Sequence, residues 1–273
     1  MRSLILLVRV SRPLGWVVAP LVFVIGLYYS GADLSLTSLI QIVLLSFPFS
    51  IILYGINDIY DYDSDKLNPR KKTLEFKEEN RSLIKIASVL VSICLFASSI
   101  LTLNLSNIVS MFLLLAVSYF YSAPPVRLKE RPPFDSISNG VLFFLAFSLG
   151  YSFGGDIWDI PLKIYFVAFC VMGIHSFGTV MDYRVDKEAG HRTLAVVFGK
   201  RAASLFSFAA FVSALLFANI GRPYINYYFA FCSVIFLVSA IFPSEKLAIF
   251  LFKLIFIGFI VTALLFVVPY LVT

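Results

Sequence analysis

The densest chemistry in the chain lies in nine residues, Asn57-Asp58-Ile59-Tyr60-Asp61-Tyr62-Asp63-Ser64-Asp65. In a helix, Asp58, Asp61 and Asp65 are spaced by three and four, so they share one face, with Asn57 beside them. Three carboxylates on one stripe repel each other and need cations to neutralise them. Hard oxygen donors suit Mg²⁺, which keeps several waters and takes further ligands from a substrate phosphate. The pattern Asp61-Tyr62-x-x-Asp65-Lys66 recurs as Asp182-Tyr183-x-x-Asp186-Lys187, so Asp182 and Asp186 repeat the i, i+4 spacing. Two such faces predict metal ions bridging one diphosphate across a cavity. A calcium loop is excluded, because after Asp61-x-Asp63-x-Asp65 the position that requires Gly is Lys66 and the one that requires Glu is Lys72.

A diphosphate also needs positive partners. Arg70, Lys71, Lys72, Arg127, Lys129, Arg192 and Lys200 fall in the same set of loops as the acids. Arg grips phosphate oxygens through two parallel N–H groups, and Lys acts as a point charge. Arg127 and Lys129 are the preferred candidates, because the stretch Tyr121-Ser-Ala-Pro-Pro-Val-Arg-Leu-Lys-Glu-Arg-Pro-Pro sets them on a Pro-stiffened loop. Asn57, Arg70, Lys71, Tyr121 and Arg192 complete the expected substrate-binding set. The remaining basic residues read as topology signals or contacts to anionic lipid.

The elements that must position these residues are membrane helices. Of the 273 residues, 60% are hydrophobic and 14% charged, against roughly one-quarter charged in a soluble domain. Apolar runs fall near 14–29, 39–56, 83–103, 108–121, 137–153, 162–181, 202–220, 224–242 and 247–271. They predict an all-α polytopic membrane bundle of about nine helices around a central cavity, because each span needs about 20 apolar residues. A membrane barrel would instead alternate apolar and polar residues. Lys and Arg cluster before the first run and after the second, fourth, sixth and eighth, whereas the opposite loops hold Lys163 and Arg222. The N-terminus and catalytic loops are therefore expected on the cytoplasmic side of the cell membrane. The net charge of +6 sits in membrane loops, which argues against nucleic acid as a partner. Cys94, Cys170 and Cys232 lie apart in apolar runs and offer neither a disulfide framework nor a zinc site. Ser3–Val8 is too short for a signal-peptide core, so no cleaved segment is expected.

The motifs together resemble the UbiA superfamily of intramembrane prenyltransferases. Asn57, Asp58, Asp61 and Asp65 match its NDxxDxxxD pattern, and Asp182 and Asp186 its DxxxD pattern. Ala189-Gly190-His191-Arg192-Thr193-Leu194, then Gly199, is similar to the family's continuation. The resemblance covers nearly the whole chain and implies one transmembrane prenyltransferase domain over residues 1–273, while the recurring six-residue pattern suggests two parallel pseudo-repeats within it. It implies catalytic, metal-binding roles for Asp58, Asp61, Asp65, Asp182 and Asp186, with Mg²⁺ as cofactor. The implied partners are membrane lipids, a prenyl diphosphate such as dimethylallyl diphosphate, and a lipophilic acceptor. Ser11-Arg12-Pro13-x-x-Trp16, Asn68-Pro69-Arg70-Lys71 and Phe134-Asp135-Ser136-x-Ser138-Asn139-Gly140 look like the lycopene elongase subgroup, which makes a carotenoid the expected acceptor. Aromatic quinone precursors and ether lipids are the alternative acceptors, but those members more often carry an Arg-Pro pair after the first motif, which is missing at that place here. CDP-alcohol phosphotransferases are excluded by the lack of DGxxAR. An ion-coupled transporter is the non-enzyme alternative, although it would place its acids near the midplane. Oligomeric state stays open.

Overall fold

The computed structural model describes residues 2–66 and 77–272, and among them every regular element is helical. Eight helical stretches in this set are long and apolar enough to cross a membrane. The ninth expected run forms α14 (Glu245–Val272), whose 28 residues extend about 42 Å against a hydrocarbon core of about 30 Å. One departure from the sequence expectation lies at the start. The short helix α1 (Arg2–Val10) precedes the first apolar run, and the chain breaks at Arg12, where φ is 52°. Pro13 lacks the N–H that would continue a helix, so the run restarts through a tight turn at Pro13–Gly15 before α2 (Val18–Ser30).

Two compact units contain the chain, one of residues 1–128 with 141–160, the other of 129–140 with 161–273. In the first, α3 (Leu36–Leu45), α4 (Phe47–Ser50), a π-helical turn (Ile51–Gly55) and α5 (Ile56–Lys66) follow one another and end in the first acidic motif. Ser46 and Pro48 interrupt the hydrogen-bond ladder, and the wider π turn shifts the register just ahead of Asn57. Helices α6 (Arg81–Ile100) and α7 (Leu105–Ser122), with the C-terminal part of α8 (Phe134–Tyr151), complete this unit. Two features hold it together. A Cβ on Gly26 would lie 2.1 Å from the Phe147 carbonyl, and one on Gly150 would lie 1.9 Å from that of Phe23, so α2 and α8 touch backbone to backbone through reciprocal glycines. Fully buried Gln41 donates to Ser99 Oγ at 3.1 Å and to Asn107 Oδ1 at 2.9 Å, and Asn107 Nδ2 donates to Ser152 Oγ at 2.9 Å. This pins α3, α6, α7 and α8 together, because polar side chains in an apolar medium seek each other.

The second unit uses small residues and aromatics. Helices α9 (Leu162–Met181), α10 (Tyr183–Glu188), α11 (Leu194–Phe198), α12 (Lys200–Phe217), α13 (Pro223–Ile241) and α14 pack around Phe177, Phe211 and Phe236, whose rings meet edge to face at 4.9–5.1 Å. Ser207 Oγ donates to the Gly173 carbonyl at 2.7 Å, and Ser204 meets Ser239 at 3.0 Å, so the helices approach closely at their small residues.

Candidate functional site

In the first unit, Asp58 and Asp61 lie one turn apart on α5 and are almost fully buried, at 9% and 7% exposure. Buried carboxylates require charge-assisted partners. Arg12 Nη2 donates to Asp58 Oδ1 at 2.8 Å, and Arg127 Nη2 donates to Asp61 Oδ1 at 3.3 Å. Both arginines adopt left-handed backbone conformations, with φ of 52° and 49°. That region costs a non-glycine residue roughly 1–2 kcal/mol, so two such residues grip one motif at a cost in backbone strain. The local sequence explains how Arg12 is held. Trp16 Nε1 donates to Ser11 Oγ at 2.9 Å, Ser11 Oγ donates to the Val8 carbonyl at 2.8 Å, and the guanidinium lies 4.7 Å from the Tyr54 ring centre. Arg127 is held by its own N–H, which donates to the Ala123 carbonyl at 3.0 Å. Asn57 Oδ1 accepts from Ser122 Oγ at 2.9 Å, and half-buried Tyr121 precedes that serine at the end of α7.

In the second unit, Asp182 ends α9 and starts α10, yet its carbonyl accepts the Asp186 N–H at 2.9 Å. The helical i, i+4 relation expected for this pair therefore continues across the junction. After α10 the Gly190 N–H donates to the Lys187 carbonyl and the His191 N–H to the Asp186 carbonyl, with Gly190 at φ 75°. This Schellman turn needs glycine, and it returns the chain to the acids. Thr193 Oγ1 then donates to Asp186 Oδ2 at 3.2 Å. His191 Nδ1 lies 3.4 Å from Glu130, next to half-buried Lys129, and Arg192 is exposed.

The structure thus joins Asn57, Asp58 and Asp61 with Arg127 in one unit, and Asp182 with Asp186 in the other. Arg70 and Lys71 lie outside the described residues, as does the side chain of Asp65. Arg12 joins the first acidic motif although its sequence context carries no chemical signal of that contact. By sequence it is a topology charge and part of Ser11-Arg12-Pro13-x-x-Trp16, and nothing local says that it meets Asp58, 46 positions away.

The donors fit Mg²⁺. Among the described residues no group of three or more His, Cys, Asp or Glu side chains converges. Mg²⁺ uses one or two carboxylates with water and substrate phosphate rather than an all-protein cage, and each motif offers carboxylates in that number.

A multi-pass helical membrane protein with an acidic pair at the end of each of two helices is the class that this fold and these residues define. A model of the UbiA prenyltransferase family matches residues 17–248, and the chain belongs to that family. Among curated relatives, a lycopene elongase/hydratase of Haloarcula japonica is 32% identical over 202 residues, 71% of this chain and 67% of that protein. A C(50) beta-cyclic carotenoids biosynthesis protein, LbtBC, of a Dietzia species is 32% identical over 220 residues, 78% of this chain. The aligned part spans about half, 51%, of the Dietzia protein's length. Of the solved structures, a digeranylgeranylglyceryl phosphate synthase superposes with a TM-score of 0.77 at 19% identity, covering 98% of both chains. A UbiA homologue from Archaeoglobus fulgidus bound to DMAPP and Mg²⁺ superposes at 0.65 with 22% identity, covering 94% of this chain and 99% of that one. These two likenesses concern the fold.

Proposed function

We propose that the chain transfers a prenyl group from an allylic diphosphate, dimethylallyl diphosphate as first choice, to the end of a lycopene-type carotenoid. The observation that carries the reading is the buried Asp58–Asp61 pair with its two guanidiniums, taken with the names of the elongase relatives. Asp58, Asp61, Asp65, Asp182 and Asp186 would hold Mg²⁺. Bound there, the metal supplies charge neutralisation for the diphosphate leaving group. Arg12 and Arg127 stand beside the first motif with N–H groups of the kind that binds phosphate oxygens, and Asn57, held by Ser122, orients the polar end of the donor. Arg70, Lys71, Tyr121, Lys129 and Arg192 are assigned to the same substrate by family resemblance. As the allylic C–O bond breaks, diphosphate leaves with the bonding pair. The π electrons of an acceptor carbon attack the allylic cation and form the new C–C bond. The cation left on the acceptor then loses a proton to restore a double bond, and apolar helices exclude the water that would otherwise trap the allylic cation.

The cytoplasmic side of the cell membrane is the proposed location of both motifs, following the basic loops. An aromatic acceptor is the second reading, favoured by a 2-acyl-4-prenylphloroglucinol 6-prenyltransferase of Humulus lupulus that is 30% identical over 168 residues, 56% of this chain. Membranes containing the protein, given Mg²⁺ and labelled dimethylallyl diphosphate, are expected to release diphosphate and label added lycopene. Label entering an aromatic acceptor and not lycopene would select the second reading. No transfer to lycopene, aromatic precursors or glycerol-phosphate ethers would remove both.

A further inference from the structure

A buried acid outside the two motifs remains to be explained. Asp135 stands in the first turn of α8, is 1% exposed, and its Oδ2 accepts the Leu194 N–H at 2.7 Å. Its Oδ1 is buried and has no hydrogen-bond partner among the described residues. An ionisable side chain in a membrane-spanning segment is costly, and one retained there asks for a function. The charge is eased because it lies at two helix N-termini, that of α8 and that of α11, where the backbone dipoles favour an anion.

Helix α11 shows what the contact does. Its N-cap is Thr193, a residue type whose hydroxyl ordinarily accepts from the backbone of the helix it starts. Here it makes no such bond, and Thr193 Oγ1 donates instead to Asp186 Oδ2. The N–H groups left over at the start of α11 are taken by other helices: Leu194 by Asp135 from α8, and Ala195 by Thr179 Oγ1 from α9 at 3.1 Å. Leu194 and Ala195 are buried at 3% and 0% exposure, so water cannot replace those partners.

We propose that Asp135 is a positioning residue for the second acidic motif: by accepting the Leu194 N–H it fixes the start of α11 and with it the place of Thr193, whose hydroxyl orients Asp186. The proposal rests on the reading of Asp186 as a metal ligand. Asp135 touches neither metal nor substrate and acts only through Leu194 and Thr193. Residues that orient metal ligands commonly change metal affinity or activity by about 10- to 100-fold when removed.

Mn²⁺ binding to the full-length protein in nanodiscs, followed by electron paramagnetic resonance without any substrate, tests it. Asp135→Ala should weaken Mn²⁺ binding about tenfold, and should raise KM for dimethylallyl diphosphate more than it lowers kcat. Asp135→Asn keeps an oxygen for Leu194 and should restore most of the affinity. Thr193→Val should weaken binding several-fold and Thr193→Ser should not, and Asp135→Ala combined with Thr193→Val should be no worse than Asp135→Ala alone. Unchanged affinity in Asp135→Ala, or losses that add in the double variant, would overturn the proposal. If Asp135→Ala yields no folded protein, Asp135→Asn decides: near-normal binding supports the capping role, and a loss as large as that of Asp186→Asn overturns it. Asp186→Asn is also the control, since normal Mn²⁺ binding there would instead sink the metal assignment itself.

Discussion

The two acidic motifs share a spacing, and the described contacts around each come from different sources. Asp58 and Asp61 are buried and gripped by Arg12 and Arg127. Asp182 is exposed, and Asp186 is met by a neutral hydroxyl, that of Thr193, on a glycine-dependent turn. In the first region, fixed positive charge from the chain compensates the carboxylates, so their placement depends on side chains arriving from two other segments. In the second, placement depends on backbone geometry, through the Schellman turn and the capping of α11. Identical sequence spacing is therefore combined with two different kinds of described support, guanidinium side chains in one unit and a hydroxyl on a glycine turn in the other.

The largest test of the comparison removes one acid from each motif. Asp61→Ala and Asp182→Ala are each expected to lower prenyl transfer by about 10³-fold, the scale seen when a preorganised electrostatic group is lost, while membrane insertion stays normal. A near-normal rate in either variant, measured with labelled dimethylallyl diphosphate, would break the parallel between the motifs.

Next come the scaffolds behind them. Gly150→Ala in the first unit places a methyl 1.9 Å from the Phe23 carbonyl, whereas Gly173→Ala in the second meets the Ala210 Cβ at 3.0 Å. The first should cost about 3 kcal/mol, the upper end for overpacking, and the second about 1 kcal/mol. Thermal unfolding in detergent measures the difference, and equal losses would contradict the backbone contact between α2 and α8.

A smaller effect separates the sources of charge. Arg12→Gln should reduce kcat/KM for the prenyl diphosphate about tenfold, the value of one strong charge-assisted bond at a half-exposed guanidinium. Arg12→Lys should recover part of it, since Lys restores charge without the planar fork. Thr193→Val makes the corresponding change in the second region and should leave charge balance untouched. A full rescue by Lys would show that only net charge matters at Asp58.

The smallest effect lies away from both motifs. Asn107→Leu leaves Gln41 with one partner fewer and should destabilise the first unit by about 1 kcal/mol, within the range for hydrogen bonds between membrane helices. Unchanged unfolding would mean that α3, α6, α7 and α8 are held by packing alone.

Composition and spacing are enough to say that this is a multi-pass helical membrane protein, that its carboxylates follow in steps of three or four residues on two helix ends, and that its motifs are those of the UbiA family. These properties are local: apolar run length and helical periodicity are set by neighbours within a few turns. The short α1 was missed because its nine residues are too few to register as a span, and the π turn before Asn57 leaves no periodic signature in so short a stretch. Which side chains meet those acids depends on long-range packing. Arg12 reaches Asp58 across 46 positions, and Asp135 reaches the Leu194 amide across 59. Contacts of that separation are selected by helix packing and by the requirement that each buried charge and each buried N–H find a partner, and a linear pattern of residue types carries no record of which partner it will be.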